Sequence, residues 1–444
     1  METENLYHAL TIDSSICIGC SHCMRACPTE ALRIRNGKAI LLENKCIDCG
    51  ECFRVCPVSA ISIAEDDLSE LNKFKHRVAL IPAVFFGQFP ENISQQTICS
   101  ALYKIGFTSI YEIERITGFI AQAQQDFIKS DGCPNGPISS YCPAVLRLIQ
   151  VKFPGLVNNI IPLKPPVELA AIECKKSLIC QGIPEEEIGL FYFTPCAAKI
   201  ASVKSPVGED KSPISGVINM SSISNRVLKL ISREGINSEN IDLPPAPDKS
   251  GILWALTHGE ARHIKGRVLS IDGIENVIDF LEKLEDDELG KIEFIEMRAC
   301  DQSCAGGILV SGNRFLTAEK LFKKAALMEE ETVLPGSAAK QKYMMDQIWL
   351  NKIHPRSSLA LDSDMHKAMD KMQRVTRLLS NLPGIDCGLC GSPSCQSLAE
   401  DIVKNEAKLP QCVFVMKEME NSGKITREEG RKIMNDIWGK SRFN

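Results

Sequence analysis

The chain has 444 residues, of which 44% are hydrophobic and 24% are charged, and its formal net charge is −5 at pH 7. This length exceeds one ordinary hydrophobic core, so two or three globular domains are expected. The acidic balance provides no basic surface for nucleic acid, and no apolar run approaches the ~20 residues of a membrane span. The first residues, METENLYHALTID, lack the basic and apolar segments of a secretory signal. We therefore expect a cytoplasmic protein that binds neither nucleic acid nor a membrane.

Twenty cysteines are the outstanding feature of the composition, and many lie in tight CxxC runs. Without a sign of secretion, this usage favours metal binding over disulfides. One pattern occurs twice, as CIGCSHCMRACP (17–28) and CIDCGECFRVCP (46–57). Three thiolates spaced in this way surround one iron–sulfur cubane, while the cysteine before the proline ligates the other cluster. The predicted ligand sets are Cys17, Cys20, Cys23 and Cys56 for one [4Fe–4S] cluster and Cys46, Cys49, Cys52 and Cys27 for the other.

Zinc also accepts four thiolates and is the alternative for these runs, but the duplication with its proline favours iron–sulfur clusters. The segment resembles bacterial two-cluster ferredoxins. A further cluster of cysteines lies in DCGLCGSPSCQSLAEDIVKNEAKLPQC, again with zinc as the alternative. It resembles a small iron–sulfur domain of corrinoid iron–sulfur proteins and some hydrogenases. Its predicted [4Fe–4S] ligands are Cys387, Cys390, Cys395 and Cys412.

Between these clusters, strand-like and helix-like segments alternate over roughly residues 77–360. The strand-like segments are SIYEI, IGLFYFTP, GRVLSIDG and KIEFIEMRA, and the helix-like ones include ERITGFIAQAQQDFIK and ENVIDFLEKLEDDE. This alternation predicts mostly parallel sheets flanked by helices. A charged stretch, 64–77, is predicted as a helical linker. The predicted domains are 1–75, a ferredoxin domain with linker; 76–360, an α/β domain; and 361–444, a small, mainly helical domain.

Four cysteines of the α/β region are scattered, in SSYCPAV, FTPCAAK and EMRACDQSCAGG. A lone cysteine is usually a small buried hydrophobe, but two of these precede or follow a proline. The Ala-Gly-Gly after the last one would let a bulky cofactor approach the backbone. Together the three pieces resemble the three motifs of the [FeFe]-hydrogenase catalytic domain. The cysteines concerned are Cys142, Cys196, Cys300 and Cys304.

The resemblance implies an α/β catalytic domain of two lobes, with the active site between them. It implies that Cys142, Cys196 and Cys300 hold a cubane and that Cys304 bridges to a diiron subcluster with CO, cyanide and azadithiolate, the H-cluster. Lys199 would hydrogen-bond a cyanide ligand, since a cationic donor suits an anionic acceptor. The predicted cofactor-lining residues are Pro82, Ala83, Pro166, Thr194 and Lys199.

The implied activity is reversible oxidation of H2, with three accessory [4Fe–4S] clusters relaying electrons. The implied partners are H2 and protons, a redox carrier such as ferredoxin, and the hydrogenase maturases. The order of domains is most similar to the sensory branch of the family, here without a following PAS domain. A hydrogen or redox sensor that reports to a signalling partner is therefore the alternative function. A non-catalytic iron–sulfur assembly relative or a plain electron carrier ranks last.

Several motif positions depart from the catalytic members of the family. Tyr141 replaces a cysteine that passes protons to the cofactor, and a phenol relays protons less well than a thiol at neutral pH. Thr194 and Arg298 replace methionines, and Ser202 replaces a glutamate. We therefore expect slow turnover, with Lys199, Tyr141 and Arg298 at the reacting site. Cys133 is a candidate alternative proton donor.

The segment THGEARH (257–263) has two histidines, but their spacing does not place them on one helical face. It is therefore predicted to be a solvated surface segment. No phosphate-binding loop or dinucleotide fingerprint is present in the sequence, so no nucleotide or flavin is expected.

Overall fold

The computed structural model describes residues 6–236, 243–330, 334–356 and 364–440. The chain divides into two compact units, which we call the cysteine-rich unit, Met1–Ala64 with Arg356–Asn444, and the α/β unit, Glu65–Pro355. The first and last segments of the chain thus fold together. The predicted boundary between residues 360 and 361 lies outside the described residues, and the division into three domains stays a prediction.

The N-terminal part of the cysteine-rich unit consists of two antiparallel strand pairs and two short helices. Strand β1 pairs with β4, and β2 pairs with β3. The strands are β1 (Leu10–Ile12), β2 (Leu32–Arg35), β3 (Lys38–Leu41) and β4 (Ile61–Ile63), and the helices are α1 (His22–Arg25) and α2 (Glu51–Arg54). Each helix lies inside one of the two repeated cysteine runs. This arrangement confirms the predicted ferredoxin-like segment.

Two parallel sheets form the framework of the α/β unit. The larger sheet has the strand order β6-β5-β7-β8, and the smaller one pairs β9 with β10. The strands are β5 (His76–Ile81), β6 (Ser109–Glu112), β7 (Ile188–Thr194), β8 (Gly216–Asn219), β9 (Val268–Asp272) and β10 (Phe294–Arg298). Every residue of β7 is buried, as expected for a strand covered on both faces. The parallel α/β prediction is confirmed, and β8 is a strand that was not predicted.

The α/β unit contains helices in the segments that were predicted as helical and in others that were not. They are α3 (Ala83–Phe86), α4 (Gln95–Ile105), α5 (Thr117–Ile128), α6 (Pro143–Lys152), α7 (Pro166–Cys180), α8 (Ala197–Lys204), α9 (Met220–Glu234), α10 (Lys249–Trp254), α11 (Ile274–Glu285), α12 (Arg314–Ala326) and α13 (Ala338–Gln347). A large apolar core joins α4, α9 and α12 to the larger sheet. Helix α5 lies within one of the two segments that were predicted as helical, and α11 begins one residue before the other.

The predicted helical linker is wrong. Only a 3-10 helix, Leu68–Lys73, forms there, and β5 begins at His76. The N–H of Asp66 donates to Val217 O at 2.9 Å, and the side chain of Asp66 accepts from the N–H of Val217 at 2.7 Å. These two hydrogen bonds between Asp66 and Val217 attach the segment to β8 in the α/β unit.

The C-terminal part of the cysteine-rich unit is helical, as predicted. Its helices are α14 (Met365–Leu379), α15 (Cys395–Val403), α16 (Val413–Asn421) and α17 (Arg427–Trp438). Within the described ranges, no helix is both long enough and apolar enough to cross a bilayer.

A buried ion pair joins the two ends of the chain within the cysteine-rich unit. Arg33 Nε and Nη2 donate to the two carboxylate oxygens of Asp401 at 2.6 and 3.0 Å. Beside it, Ile34 N donates to Gly391 O at 2.8 Å, and Lys45 pairs with Glu400 at 3.0 Å. A bidentate, buried pair has a fixed geometry, so it sets how the C-terminal helices lie on β2.

Replacing Asp401 with alanine is expected to destabilise the cysteine-rich unit by about 3–5 kcal/mol, because Arg33 would stay buried without its charged partner. The measurement is the free energy of unfolding, with hydrogen exchange followed at α15. Glu51→Ala is the control, since its pair with Arg54 is partly exposed, with the two groups 3.7 Å apart, and should contribute less than about 1 kcal/mol. Equal effects of the two substitutions would contradict the prediction.

Candidate metal centres and active site

The eight N-terminal cysteines surround two separate cavities, each with four thiols in its wall. Burial raises the pKa of the Cys23 thiol to about 12, and the neighbouring thiols of Cys20, Cys17 and Cys56 raise it further. The members of the two sets are Cys17, Cys20, Cys23 and Cys56 for one cavity and Cys27, Cys46, Cys49 and Cys52 for the other. These are the two predicted ligand sets, with the fourth cysteine of each run crossing to the other cavity.

Backbone amides point at the sulfur atoms of both sets. Ala31 N lies 3.2 Å from Cys27 Sγ, and Ala60 N lies 3.3 Å from Cys56 Sγ. Such donors stabilise the negative charge of cluster sulfur and thiolates. The site chemistry therefore fits two [4Fe–4S] clusters.

The C-terminal cysteines also come together. The pKa of the Cys390 thiol is raised to about 11 by burial, although the amide of Ser392 lowers it, and the thiols of Cys387 and Cys412 raise it further. Cys395 packs against the same cluster of buried residues. Gly391, with φ of +74°, is needed because a Cβ there would lie 2.3 Å from Ile34 O. The turn that shapes this site is thus also the contact with β2.

The motif around Cys142 is positioned by the smaller sheet. The segment before it runs beside β10, where Ser139 N donates to Ile295 O at 3.0 Å, and Ile138 bridges both Ile295 and Ile160. Cys142 then precedes α6, whose first residue is Pro143. Proline is well suited to this position, since the first helical N–H has no partner within the helix. The chain thus delivers Tyr141 and Cys142 to the carboxyl end of β10.

Cys196 follows the carboxyl end of β7 in the larger sheet. Thr194, fully buried, donates its hydroxyl to Cys196 O at 3.0 Å and lies 3.3 Å from Cys196 N. These bonds fix the turn between β7 and α8. Lys199, one turn into α8, is buried as well. Thr194 therefore orients Cys196 through two hydrogen bonds to the backbone of that cysteine.

Cys300 and Cys304 follow β10 in a tight turn. Gln302 and Ser303 both have positive φ, 60° and 54°. A Cβ on Gly306 would lie 1.9 Å from Asp301 O, and one on Gly307 would lie 2.4 Å from Pro195 O. These glycines are therefore required by close packing against the protein backbone, whereas the sequence suggested that they make room for a cofactor.

The scattered thiols meet at this edge of the two sheets. Burial raises the pKa of the Cys196 thiol to about 12, while Lys199 lowers it and the thiols of Cys304 and Cys142 raise it. The Cys196 thiol thus lies within electrostatic reach of two other predicted ligands, Cys142 and Cys304. Cys300, the fourth, is one turn from Cys304 along the chain.

Tyr141 lies against the last of these thiols. Its hydroxyl is 3.2 Å from Cys304 Sγ, and Lys199 Nζ is 3.4 Å from both that hydroxyl and that sulfur. The guanidinium of Arg298 stacks on the tyrosine ring, 3.7 Å from its centroid, and Lys199 Nζ is 4.6 Å from the same centroid. Burial, reinforced by Cys304, raises the pKa of Tyr141 well above its usual value. The phenol is therefore a neutral hydrogen-bonding group.

Two glutamates that were not predicted hold Arg298 in this place. Glu260 Oε1 pairs with Arg298 Nη2 at 2.6 Å and Glu296 lies 3.5 Å from the same nitrogen. Glu260 also accepts from Ser139 Oγ at 2.7 Å and from Gln124 Nε2 at 2.6 Å. Glu260 is only 1% exposed, so the prediction of a solvated segment at 257–263 is wrong for residues 259–261, while His258 and Arg262 are exposed. Glu296 could have been recognised from the sequence as a partner of Arg298, because the two residues are two apart on a buried strand and therefore face the same side.

The donors at this site fit an anionic group held at the cysteines. Arg298 Nε and Nη1 are buried and have no hydrogen-bond partner among the described residues. Burial alone would lower the pKa of Lys199, but Cys304 and Tyr141 outweigh it and raise that pKa, so the lysine stays charged. Unpaired buried donors are costly, and an H-cluster with cyanide ligands would supply acceptors.

A cavity of about 60 Å³ adjoins this group. Tyr141 and Lys199 form part of its wall, together with Pro82 and Pro166, two of the predicted lining residues. Ala83 does not line it but donates its N–H to Glu114 Oε2 at 2.9 Å. Cys133 lies elsewhere; its thiol is 3.5 Å from Pro134 O, and no described contact joins it to Tyr141.

Family models match three parts of the chain. Residues 75–250 match the iron only hydrogenase large subunit, C-terminal domain; residues 16–61 match the 4Fe-4S dicluster domain; and residues 382–414 match the FeS family of Fe-S cluster domains. The chain is therefore an iron–sulfur protein with hydrogenase-like and ferredoxin-like segments. The likeness to iron only hydrogenases thus extends over residues 75–250, within the α/β unit.

A curated protein and several solved structures are similar to parts of this chain. An uncharacterized protein of Methanocaldococcus jannaschii is 32% identical over 71 residues, which cover 13% of this chain and 32% of that protein. Solved structures of [FeFe]-hydrogenase HydA(deltaEFG) and of HydA1 variants from Chlamydomonas reinhardtii are 14% identical, with a TM-score of 0.46 and coverage of 65% of this chain and 98% of theirs. The chain thus spans about a third of the length of the curated relative.

Proposed function

We propose that the protein catalyses reversible oxidation of H2 to protons and electrons at an H-cluster in the α/β unit. Cys142, Cys196 and Cys300 would hold the cubane, and Cys304 would bridge to the diiron subcluster. The observation that carries this proposal is the buried ammonium of Lys199, 3.4 Å from the Cys304 thiol, beside Arg298, whose Nε and Nη1 have no hydrogen-bond partner among the described residues. This is the electrostatic environment that an anionic, thiolate-bound cofactor requires.

The bound cofactor supplies the chemistry of the H–H bond, and the protein supplies its environment. Lys199 provides a fixed positive charge and a donor beside Cys304. Arg298 adds a second charge, held by Glu260. The bulk of Tyr141 and its hydroxyl occupy the place where catalytic relatives have a small thiol, so that proton delivery from this position is slow. We expect slow turnover because a neutral phenol held in one position is a poor proton donor and acceptor.

The three accessory [4Fe–4S] clusters of the cysteine-rich unit would relay electrons to a carrier such as ferredoxin. The C-terminal cysteines support a role in this relay, because Arg25 Nη2 reaches Cys387 O at 3.4 Å and Met24 Cε lies 3.1 Å from where a Cβ of Gly388 would stand. Arg25 and Met24 follow Cys23 directly. The third cluster would therefore lie beside a ferredoxin cluster.

The test is to produce the chain with the hydrogenase maturases and record its infrared spectrum. Bands of bound CO and cyanide, together with measurable H2 oxidation, are the expected result. A fully iron-loaded protein without these bands would overturn the proposal. Cys99→Ser, in the apolar core, should keep the bands, whereas Cys304→Ser should lose those of the diiron subcluster.

A sensory role is the second candidate function, and the fixed position of Tyr141 favours it. A sensor needs a redox change on binding H2 more than it needs fast turnover. Tyr141→Cys is expected to raise H2 turnover by about tenfold or more if proton delivery at this position is limiting. Tyr141→Phe, which keeps the stacked ring but removes the hydroxyl, is the matched control. An unchanged rate in Tyr141→Cys, with intact infrared bands, would remove this explanation of slow turnover.

A further inference from the structure

A second, larger cavity of the α/β unit has no role in the proposed H2 chemistry. Its volume is about 430 Å³, which falls within the range of ~300–1,000 Å³ that small-molecule sites have. Residues of β6, α5, the segment 245–254 and α13 form its wall, and no predicted cluster ligand is among the described lining residues. The cavity is therefore a candidate site for a molecule other than the clusters.

Arg115 gives the wall of this cavity a positive charge without an ion-pair partner. Its guanidinium lies 4.9 Å from the centroid of the Tyr111 ring. Within the described ranges of the chain it has neither a hydrogen bond nor an ion pair. Glu112 lies within its electrostatic reach but pairs with Lys324 at 3.7 Å. Because the planar fork of an arginine binds a carboxylate through two parallel hydrogen bonds, Arg115 can hold an anionic ligand.

Two ring nitrogens of the wall are buried and lack partners. Trp254 is only 1% exposed, and neither its Nε1 nor Nε2 of His263 has a hydrogen-bond partner among the described residues. The two rings pack on each other, with centroids 5.5 Å apart. Burial lowers the pKa of His263, and Arg262 lowers it further, so the imidazole is neutral at pH 7. A buried N–H without an acceptor is costly, and an anionic ligand would supply an acceptor for the N–H of Trp254.

The remaining charges of the wall limit the charge of the ligand. Asp248 caps the start of α10, and Glu330 accepts a hydrogen bond from Ser250 Oγ at 2.7 Å. That bond lowers the pKa of Glu330, so the carboxylate is charged at pH 7 and repels a second negative charge. Lys340, also in the wall, pairs with Glu173. A monoanion therefore matches the wall better than a phosphate dianion does.

We propose that this cavity binds a small organic carboxylate, with its charge held by Arg115 and the N–H of Trp254. The apolar body of the ligand would lie against Phe119, Pro247 and Leu334, which line the same cavity. Occupancy of this site does not require an H-cluster. The proposal thus goes beyond the proposed H2 activity and is tested on protein produced without maturases.

The probe is para-fluorobenzoate, a monoanion with an apolar ring, and its binding to the full chain is measured by fluorine NMR. We expect saturable binding with a Kd below about 1 mM. The neutral para-fluorobenzamide should bind about tenfold more weakly, because it lacks the charge that Arg115 holds. The dianion para-fluorophenyl phosphate should also bind more weakly, since Glu330 repels it. No saturable binding of the benzoate up to about 10 mM, or binding of the amide or the phosphate as tight as that of the benzoate, would overturn the proposal.

Substitutions in the wall locate the binding site. Arg115→Met removes the charge and is expected to raise the Kd of para-fluorobenzoate about tenfold or more, and Trp254→Phe, which keeps a ring but loses the N–H, about tenfold. Arg262→Met is the matched control, because this arginine is exposed and is not among the lining residues; its Kd should stay within about twofold.

Thermal unfolding shows whether each variant is folded. Arg115 is only partly buried, so Arg115→Met carries the test even if the change at the buried Trp254 prevents folding. A Kd in folded Arg115→Met equal to that of the unmodified chain would overturn the proposal, and so would an equal loss of affinity in Arg262→Met.

Discussion

Replacing Cys196 with serine is expected to lower the iron content of the chain, produced without maturases, from about 16 to about 12 atoms. The reason is that Cys196 lies among the thiols of Cys142 and Cys304, so its loss opens one cubane and leaves the three of the cysteine-rich unit. The measurement is iron analysis with the visible absorbance of the clusters. A serine at Cys174, a buried thiol on α7, is the control and should leave the iron content unchanged.

An unchanged iron content in the Cys196→Ser chain would show that the scattered cysteines do not share a cluster. Zinc in place of iron at any of the sites would appear in the same analysis. It would contradict the iron–sulfur prediction for that site, because zinc gives no visible absorbance.

Replacing Arg298 with methionine is expected to destabilise the α/β unit by about 3–5 kcal/mol, because Glu260 would remain buried without its ion-pair partner. Glu260 is fixed by Ser139 and Gln124, so it cannot turn toward solvent. The measurement is the free energy of unfolding of the full chain. The double substitution Arg298→Met with Glu260→Gln should recover part of the loss, since the charge of Glu260 is removed and Glu296, the second acid beside Arg298, still accepts two backbone N–H bonds.

The control for this prediction is Lys323→Met on α12. Its pairs with Glu319 and Glu91 are exposed, so the expected cost is below about 1 kcal/mol. A double substitution as unstable as Arg298→Met alone would contradict the account, because the loss would then come from the packing of Arg298 on Tyr141 and not from its charge.

The cluster-binding segments were predictable from sequence because their ligands are local. The repeated runs place three cysteines within seven residues, and their crossing pattern follows from the proline. The strands β7 and β10 were also predictable, since each is a short apolar run that is covered on both faces. Cys142 and Cys196 each lie directly after an extended segment, where parallel sheets collect their functional residues.

The surroundings of Tyr141 could not be predicted in the same way. Glu260 reaches Arg298 only because the fold brings a turn against β10, and nothing in THGEARH marks its acid as buried. Glu114 and Glu168 are buried acids in the wall of the cavity beside Tyr141, but each is a single acid in a helical segment, and a helix pattern treats it as solvent-facing. Their burial depends on which elements surround one cavity, and that is decided by tertiary packing.

The joining of the two chain ends has a consequence for biosynthesis. The turn between β2 and β3 is completed by the last helix, since Asn36 N donates to Asp436 O at 2.8 Å and Gly37 N donates to Ile437 O at 2.9 Å. A ribosome adding 5–20 residues per second needs roughly 20–80 s to reach those partners. The ferredoxin-like segment is therefore translated long before the helix that completes its packing. This leaves an interval in which iron can be delivered to an unfinished unit.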